Sequence, residues 1–331
     1  MRRIRRILVA VKNPAAAKLP AVAKAAQLAR ALDAELVLFH AISAPLYLDA
    51  DISLMNESLA DAERITRNTH VEQLEVIARR LQRKGIRVAV SAQWDYPIYE
   101  AIIRESGRLK ADLIVAEQHA GWRIAASLLH LTDWELLRMS PVPVLLVKRP
   151  GGYRHPVVLA AVDPDRSYGK PAQLDGDIVR TGACLAQVLH GALHAVHAFV
   201  PVPATAFARG TVLSEQEVAR IHARAAAAAR DKLRRLLGKR AVPESRRHIV
   251  GRHPADAIEQ VAARTRSAVV VMGAISRSGL KRLLIGNTAE RVLEHLPCDL
   301  LIVKPARLIT RLPRSRRGAR YVSVRTTAAG L

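Results

Sequence analysis

Short unbroken apolar runs recur along the chain: ILVAV at 7–11, LIVA at 113–116, VLLV at 144–147, VVLAAV at 157–162 and VVVM at 269–272. They lack a two-residue alternation, which suits strands buried on both faces of a parallel sheet. The segments between them carry apolar residues every three or four positions, the period of a helix. In residues 214–237 Val218, Ile221, Ala225, Ala229, Leu233 and Leu236 form one stripe, with Arg220, Arg224, Arg230, Arg234 and Arg235 off it. A solvated basic face is the plain reading, and a face for lipid or RNA the sharper one. Helix ends are also readable. Ser214 with Glu217 makes a capping box, and Gly238 closes that helix. Asn56 and Gly85 bound a matching helix, and Thr132 with Glu135 and Asn287 with Glu290 read as capping boxes at equivalent places. The alternation of strand and helix predicts a doubly wound α/β architecture.

The pattern occurs twice. RILVAVKN at 6–13 echoes VVLAAVDP at 157–164, and AELVLFHA at 34–41 echoes GALHAVHAF at 191–199. LTDWELLRMSPVPVLLVKRP at 131–150 echoes GNTAERVLEHLPCDLLIVKP at 286–305, aligning Pro141 with Pro297 and Lys148 with Lys304. A period of about 150 residues is too long for a solenoid and means two copies of one domain. The expected division is 1–150, 151–305, and a basic tail 306–331 poor in apolar residues and read as unstructured. Residues 149–153 read as the linker.

Composition narrows the class. Half of the 331 residues are apolar but only 4% are aromatic, so the cores are built from Ala, Val, Leu and Ile. No apolar run reaches the roughly 18 residues of a membrane span. The basic start MRRIRRILVAVKN has an apolar part shorter than the ~7–15 residues of a signal peptide, so it reads as a first strand of a cytosolic protein. Cys184 and Cys298 lie in apolar segments and read as buried thiols. The net charge of +23 divides as +6 in residues 1–150, +10 in 151–305 and +7 in 306–331. Such a field attracts polyanions without choosing among them, and a generally Arg-rich composition would produce it too.

The stretch VVMGAISRSGLKRLLIGNTAE at 270–290 is a strand, a glycine-spaced basic loop and a restarting helix. With WDYPIYEAI, TDWELLRMSPVPVLLVK, GNTAERV and CDLLIVKP in order across both copies, residues 6–305 resemble the universal stress protein family, in its tandem E-type form. The resemblance implies two tandem doubly wound parallel-sheet domains, Rossmann-like and of the adenine-nucleotide alpha hydrolase-like type. It implies a cytoplasmic protein made under starvation or other stress, linked to survival and resistance to DNA damage, with no settled reaction. Some members bind ATP through Gly-x2-Gly-x9-Gly-Ser/Thr and an Asp ending the first strand. In the second copy those positions read Gly273, Ser276, Gly286 and Asn287, with Thr288 next, and Asp163 matches the acid. Glycine lets backbone N–H groups approach phosphate oxygens, and a helix start adds donors and dipole. Gly279 can take over part of the turn that Ser276 restricts, and Arg277, Lys281 and Arg282 supply positive charge. Two readings stay open: an ATP-type nucleotide or other small anionic ligand held here, or a decayed loop that is only a strand end and a helix start. In the first copy the positions read Glu117, Ala120, His130 and Leu131, with Lys12 in place of the acid, so no nucleotide is expected there.

Other chemistry is thin. His40 and His197 sit at matching strand ends, in different copies, and read as histidines capped by neighbours; His119 and His130 are weaker still. No zinc spacing, nucleophile elbow or Walker loop is present, so the reading leans away from an enzyme, with a weak ATPase at most. Trp94, Tyr96 and Tyr99 either stack on a ligand or cover a helix start. The second function class is a nucleic-acid binder acting through distributed Arg and the tail. In single-domain relatives the last strand makes the dimer contact, so the two copies here are expected to give a pseudo-symmetric monomer, or else a homodimer.

Overall fold

The computed structural model describes residues 4–49, 56–118, 126–165, 173–199, 214–238, 242–273, 287–304 and 315–324. In chain order the elements are β1 (Arg6–Ala10), α1 (Pro20–Leu32), β2 (Glu35–Ile42), β3 (Leu46–Asp49), α2 (Asn56–Gln82), β4 (Val88–Trp94), α3 (Ile98–Arg108), β5 (Leu113–Glu117), α4 (Ala126–Met139), β6 (Val144–Val147), β7 (Val157–Ala161), α5 (Leu174–Val188), β8 (Ala192–Phe199), α6 (Glu215–Leu237), β9 (Arg247–Gly251), α7 (Pro254–Arg264), β10 (Val269–Gly273), α8 (Asn287–His295), β11 (Asp299–Val303) and β12 (Tyr321–Val324). The chain divides into two compact units, one of residues 2–144 with 309–331, the other of residues 145–308.

In the first unit the strand order is β4-β2-β1-β5, with parallel pairs such as Leu8 with Val37 and with Ile114. The apolar runs are buried on both faces, as their lack of alternation predicts: Ile7, Leu8, Leu36, Leu38, Phe39 and Ile114 are all at most 1% exposed. β1 is flanked by β2 on one side and β5 on the other, so the chain direction across the sheet reverses there. In doubly wound folds ligands bind at the carboxyl ends of the strands beside such a reversal.

The second unit has the order β6-β11-β10-β7-β8-β9, with β7 parallel to both β8 and β10. Its reversal lies at β7. β6, which ends the first sequence repeat, sits beside β11, which ends the second. Asp299 pins the stretch that follows β6. Its Oδ1 accepts from the backbone N–H of Lys148 at 2.9 Å and of Arg149 at 3.2 Å, and its Oδ2 accepts from the buried Tyr153 hydroxyl at 2.6 Å. Burial, then the nearby Asp299 charge, holds the Tyr153 phenol well above its ordinary range. The Lys148 ammonium donates to the carbonyls of Leu293 and Leu296 at the end of α8, where a helix dipole favours a cation. Lys304, the matching lysine, is pushed down to about 8 by burial.

The predicted helix ends hold at α6 and α2. Ser214 Oγ accepts from Glu217 N–H while the Glu217 carboxylate accepts from Ser214 N–H, and Gly238 follows with φ of +64°. α2 starts at Asn56, and Gly85 adopts φ of +79° just beyond it. α8 starts at Asn287, with the side chains of Asn287 and Glu290 outside the described residues. Two expectations need correction. α4 begins at Ala126, so Thr132 lies inside the helix rather than at its start. The segment 306–331 is not wholly unstructured: β12 pairs in parallel with β3, Tyr321 opposite Leu46. A buried carboxylate partner holds that return, a long-range contact that composition does not reveal.

Candidate functional site

Because β7 and β10 are adjacent and parallel, Asp163 and Gly273 leave the second unit's sheet at the same edge. α5 begins over that edge. Its Asp175, 4% exposed in the first turn, accepts from the Asp163 N–H at 3.0 Å. Leu174 and Ile178 pack on Gly273: a Cβ there would lie 2.7 Å from Leu174 Cδ2 and 3.2 Å from Ile178 Cδ1. A side chain at this strand end would therefore have to displace Leu174, whatever the segment beyond it binds. Thr288 is half-buried in the first turn of α8, and Asn287 opens that helix. Ser276, Arg277, Gly279 and Gly286 lie outside the described residues, as do Lys281 and Arg282.

A side-chain cluster that motif spacing did not reveal stands beside Asp163. His197, on β8, is 1% exposed, and its Nε2 lies 3.6 Å from Asp165 Oδ2. Burial lowers the His197 pKa, against the opposing pull of Asp165 and Asp163. The other Asp165 oxygen is paired with the Lys232 ammonium, which reaches in from α6. The edge thus presents Asp163, Asp165 and Asp175 with His197 and Lys232. Such a group can accept hydrogen bonds from a ligand's amino or hydroxyl groups, and Lys232 is a cation within the same cluster.

In the first unit the matching histidine is capped: His40 Nδ1 lies 2.8 Å from the Val11 carbonyl, with the His70 ring 4.6 Å away. Burial is the main cause of its lowered pKa. Glu117 ends β5 half-buried; His119 and Ala120 lie outside the described residues, as does the side chain of His130 within α4. The aromatic candidates are all engaged within the unit. Trp94 Nε1–H donates to the Glu63 carbonyl of α2 at 3.1 Å, Tyr99 OH donates to Glu100 at 3.3 Å, and Tyr96 lies under the guanidinium groups of Arg317 and Arg320. An apolar groove of about 780 Å³ runs between α1 and α2, lined by residues including Leu19, Val22, Ala26, Ile77 and Leu81.

A histidine pair lies across β8 and β9. Arg264, which can only donate, lies 3.0 Å from His248 Nδ1, so that nitrogen accepts. Nε2–H of neutral His248 then donates to His194 Nδ1 at 3.0 Å. Among the described residues no group of three or more His, Cys, Asp and Glu is placed to hold a metal ion. Cys298 is buried, its thiol pushed up to about 12 chiefly by burial. Cys184 is only half-buried, short of the expected full burial, because it stands on a helix flank rather than in a strand. No described helix is long and apolar enough to cross a membrane.

A profile of the Universal stress protein family matches residues 3–148 and again 157–304. Universal stress protein E of Salmonella typhi is 30% identical over 222 residues, covering 67% of this chain and 70% of the relative. The same protein of Escherichia coli K12 is 30% identical, covering 67% and 69%. Among solved structures, a functionally unknown protein of Pseudomonas aeruginosa PAO1 superposes with a TM-score of 0.68 at 27% identity, covering 92% of this chain and 93% of that one.

Proposed function

The chain belongs to the universal stress protein family, and from that premise we propose that its second unit is a small-ligand site that binds a nucleotide of the ATP type. The role is binding rather than turnover, in a cytoplasmic protein that supports survival under stress, DNA damage included. One observation supports the reading above others. β10 ends at Gly273 and α8 starts at Asn287 on the edge where Asp163 leaves the neighbouring strand. A basic stretch of sequence, residues 274–286, lies between them and carries Arg277, Lys281 and Arg282 with Gly279 and Gly286. A helix N-terminus and cationic side chains suit phosphates, while the carboxylates near Asp163 suit the amino and hydroxyl groups of a nucleoside. Ser276 and Asn287 depart from the ATP-binding pattern of the family; hydroxyl and amide groups still donate hydrogen bonds there.

The test is the small-molecule content of protein purified natively, identified by mass spectrometry after denaturation, followed by titration with ATP and magnesium. A nucleotide near one per chain that is lost in Gly286→Trp supports the reading. An empty protein that takes up no ATP sinks it. The polyanion reading is favoured by a separate observation: Arg220, Arg224, Arg230, Arg234 and Arg235 are all exposed on α6. It predicts nucleic-acid affinity that falls steeply with salt. Affinity that ignores salt contradicts it.

A further inference from the structure

Two carboxylates are buried at the carboxyl edge of the first unit, just after β4: Asp95 is 2% exposed and Glu100 6%. Arg104, one turn along α3 from Glu100, serves both. Its Nε and one terminal nitrogen bond the two Asp95 oxygens at 2.9 and 2.7 Å, and its other terminal nitrogen bonds Glu100 at 2.9 Å. One guanidinium carries a single positive charge against two negative ones. The second cation arrives from 217 residues away. Arg317 donates from one nitrogen to both Glu100 oxygens, each at 3.1 Å, and its backbone N–H donates to Asp95 at 3.1 Å. Its guanidinium carbon also lies 5.6 Å from the Tyr96 ring centre, and that of Arg320 5.1 Å.

The segment that brings these arginines lies at the surface. Ser315, Arg316, Arg317, Arg320 and Tyr321 are exposed, and Tyr321 is 45% exposed. Among the described residues its sheet has two strands, β12 with β3, and an isolated two-stranded sheet is marginal in water. Its polar contacts include Arg320 donating to the Ser43 carbonyl, Leu46 N–H to the Arg320 carbonyl, and Tyr321 OH to Glu63. Ser43 follows β2 and Asp95 follows β4, so the segment crosses the edge where this fold admits ligands. The site is thus deeply buried and charged, while the arginines that its occupant brings to it are exposed.

We infer that Asp95, Tyr96 and Glu100 form a guanidinium-recognition site for an arginine-bearing extended segment, and that residues 315–324 are its resident, displaceable strap. Arginine rather than lysine fits because one planar group must face a two-oxygen carboxylate and an aromatic ring together. An arginine peptide supplied in trans competes for the same place. While the strap is docked, the first unit's ligand edge is covered; when it lifts, that edge opens. The inference concerns the first unit and stands or falls apart from nucleotide binding by the second.

The test is hydrogen–deuterium exchange of the full-length chain, read at residues 46–49, with β1 as an internal control of the fold. In Arg317→Gln, exchange at 46–49 rises about tenfold or more while β1 stays protected; Arg317→Lys gives a smaller rise. Adding excess synthetic peptide of residues 315–324 to Arg317→Gln restores the protection, and the same peptide with Gln at the position of Arg317 does not. Glu100→Gln also frees 46–49, and there the peptide fails to rescue. Unchanged exchange at 46–49 in Arg317→Gln, or equal rescue by both peptides, overturns the proposal.

Discussion

Leu174 packs so closely on Gly273 that a Cβ on the glycine would lie 2.7 Å from Leu174 Cδ2 and 3.0 Å from its Cγ. A glycine at a strand end before a basic segment invites a phosphate explanation, but here helix α5 also packs closely on it. Gly273→Ala should therefore destabilise the second unit by about 1–3 kcal/mol through overpacking. Leu174→Ala in the same chain removes the obstructing atoms and should recover part of that loss, leaving a coupling energy of about 1 kcal/mol or more in a double-mutant cycle followed by urea denaturation. If the two effects simply add, the contact is not what fixes the glycine.

Tyr153 and Asp299 carry a second prediction. Tyr153→Phe keeps the ring and deletes the donor to a carboxylate that is 0% exposed. Asp299 keeps the Lys148 and Arg149 N–H groups, so the expected loss is about 1–3 kcal/mol, the range for a buried bond to a charged group. The midpoint of thermal or urea unfolding reads it. A loss below a few tenths would mean that the residues after β6 are held by something else.

The limits of sequence reading show at particular residues. The buried strands were legible because continuous apolar runs such as 7–11 and 157–162 have one structural meaning in an alternating chain. The ends of α6 were legible because Ser214, Glu217 and Gly238 act on the backbone next to them. Thr132 misled for the complementary reason. Its local spacing matches a capping box, but α4 extends six residues upstream of it, and local chemistry does not say which turn is the first. The partners Arg317–Glu100 and Lys232–Asp165 were invisible because each joins distant positions, and charge composition reports only a total. Gly273 was found as a candidate, but its reason is an atom of α5, which only packing discloses.

The pair His194–His248 makes stability depend on pH. Burial first, then the neighbouring His194 and Arg264, push His248 down to about 4 from an ordinary 6.5. His194 is lowered too, by burial and by Arg246. Between those values the unfolded chain binds more protons than the folded one, so stability rises with pH across the window. The contribution is complete above about pH 6.5 and is lost as the pH falls toward 4. His248→Gln removes the proton-binding group and should flatten the dependence of the urea midpoint between pH 6.5 and 4 relative to the parent chain. Parallel curves for the two proteins would show that other groups, such as carboxylates, carry the acid loss.

Lys232 offsets part of the negative charge at the second unit's edge. It sits on Asp165, whose other oxygen is 3.6 Å from His197, near Asp163 and Asp175. Its removal by Lys232→Gln leaves one more net negative charge beside any ligand. Both partners of the pair are part-exposed, so the stability cost should be under about 1 kcal/mol. The binding effect should be larger and sign-specific. An anionic ligand such as ATP should bind several-fold more weakly, and the difference should shrink as salt rises. Lys232 also helps hold the His197 pKa down, so the same variant should raise it, visible in the imidazole proton shifts of an NMR titration. A raised His197 pKa with unchanged ATP affinity would place the phosphates, or the whole ligand, away from this cluster. Tighter ATP binding would mean that the ammonium obstructs the ligand, and the pocket's preference would then lie with a neutral or cationic molecule.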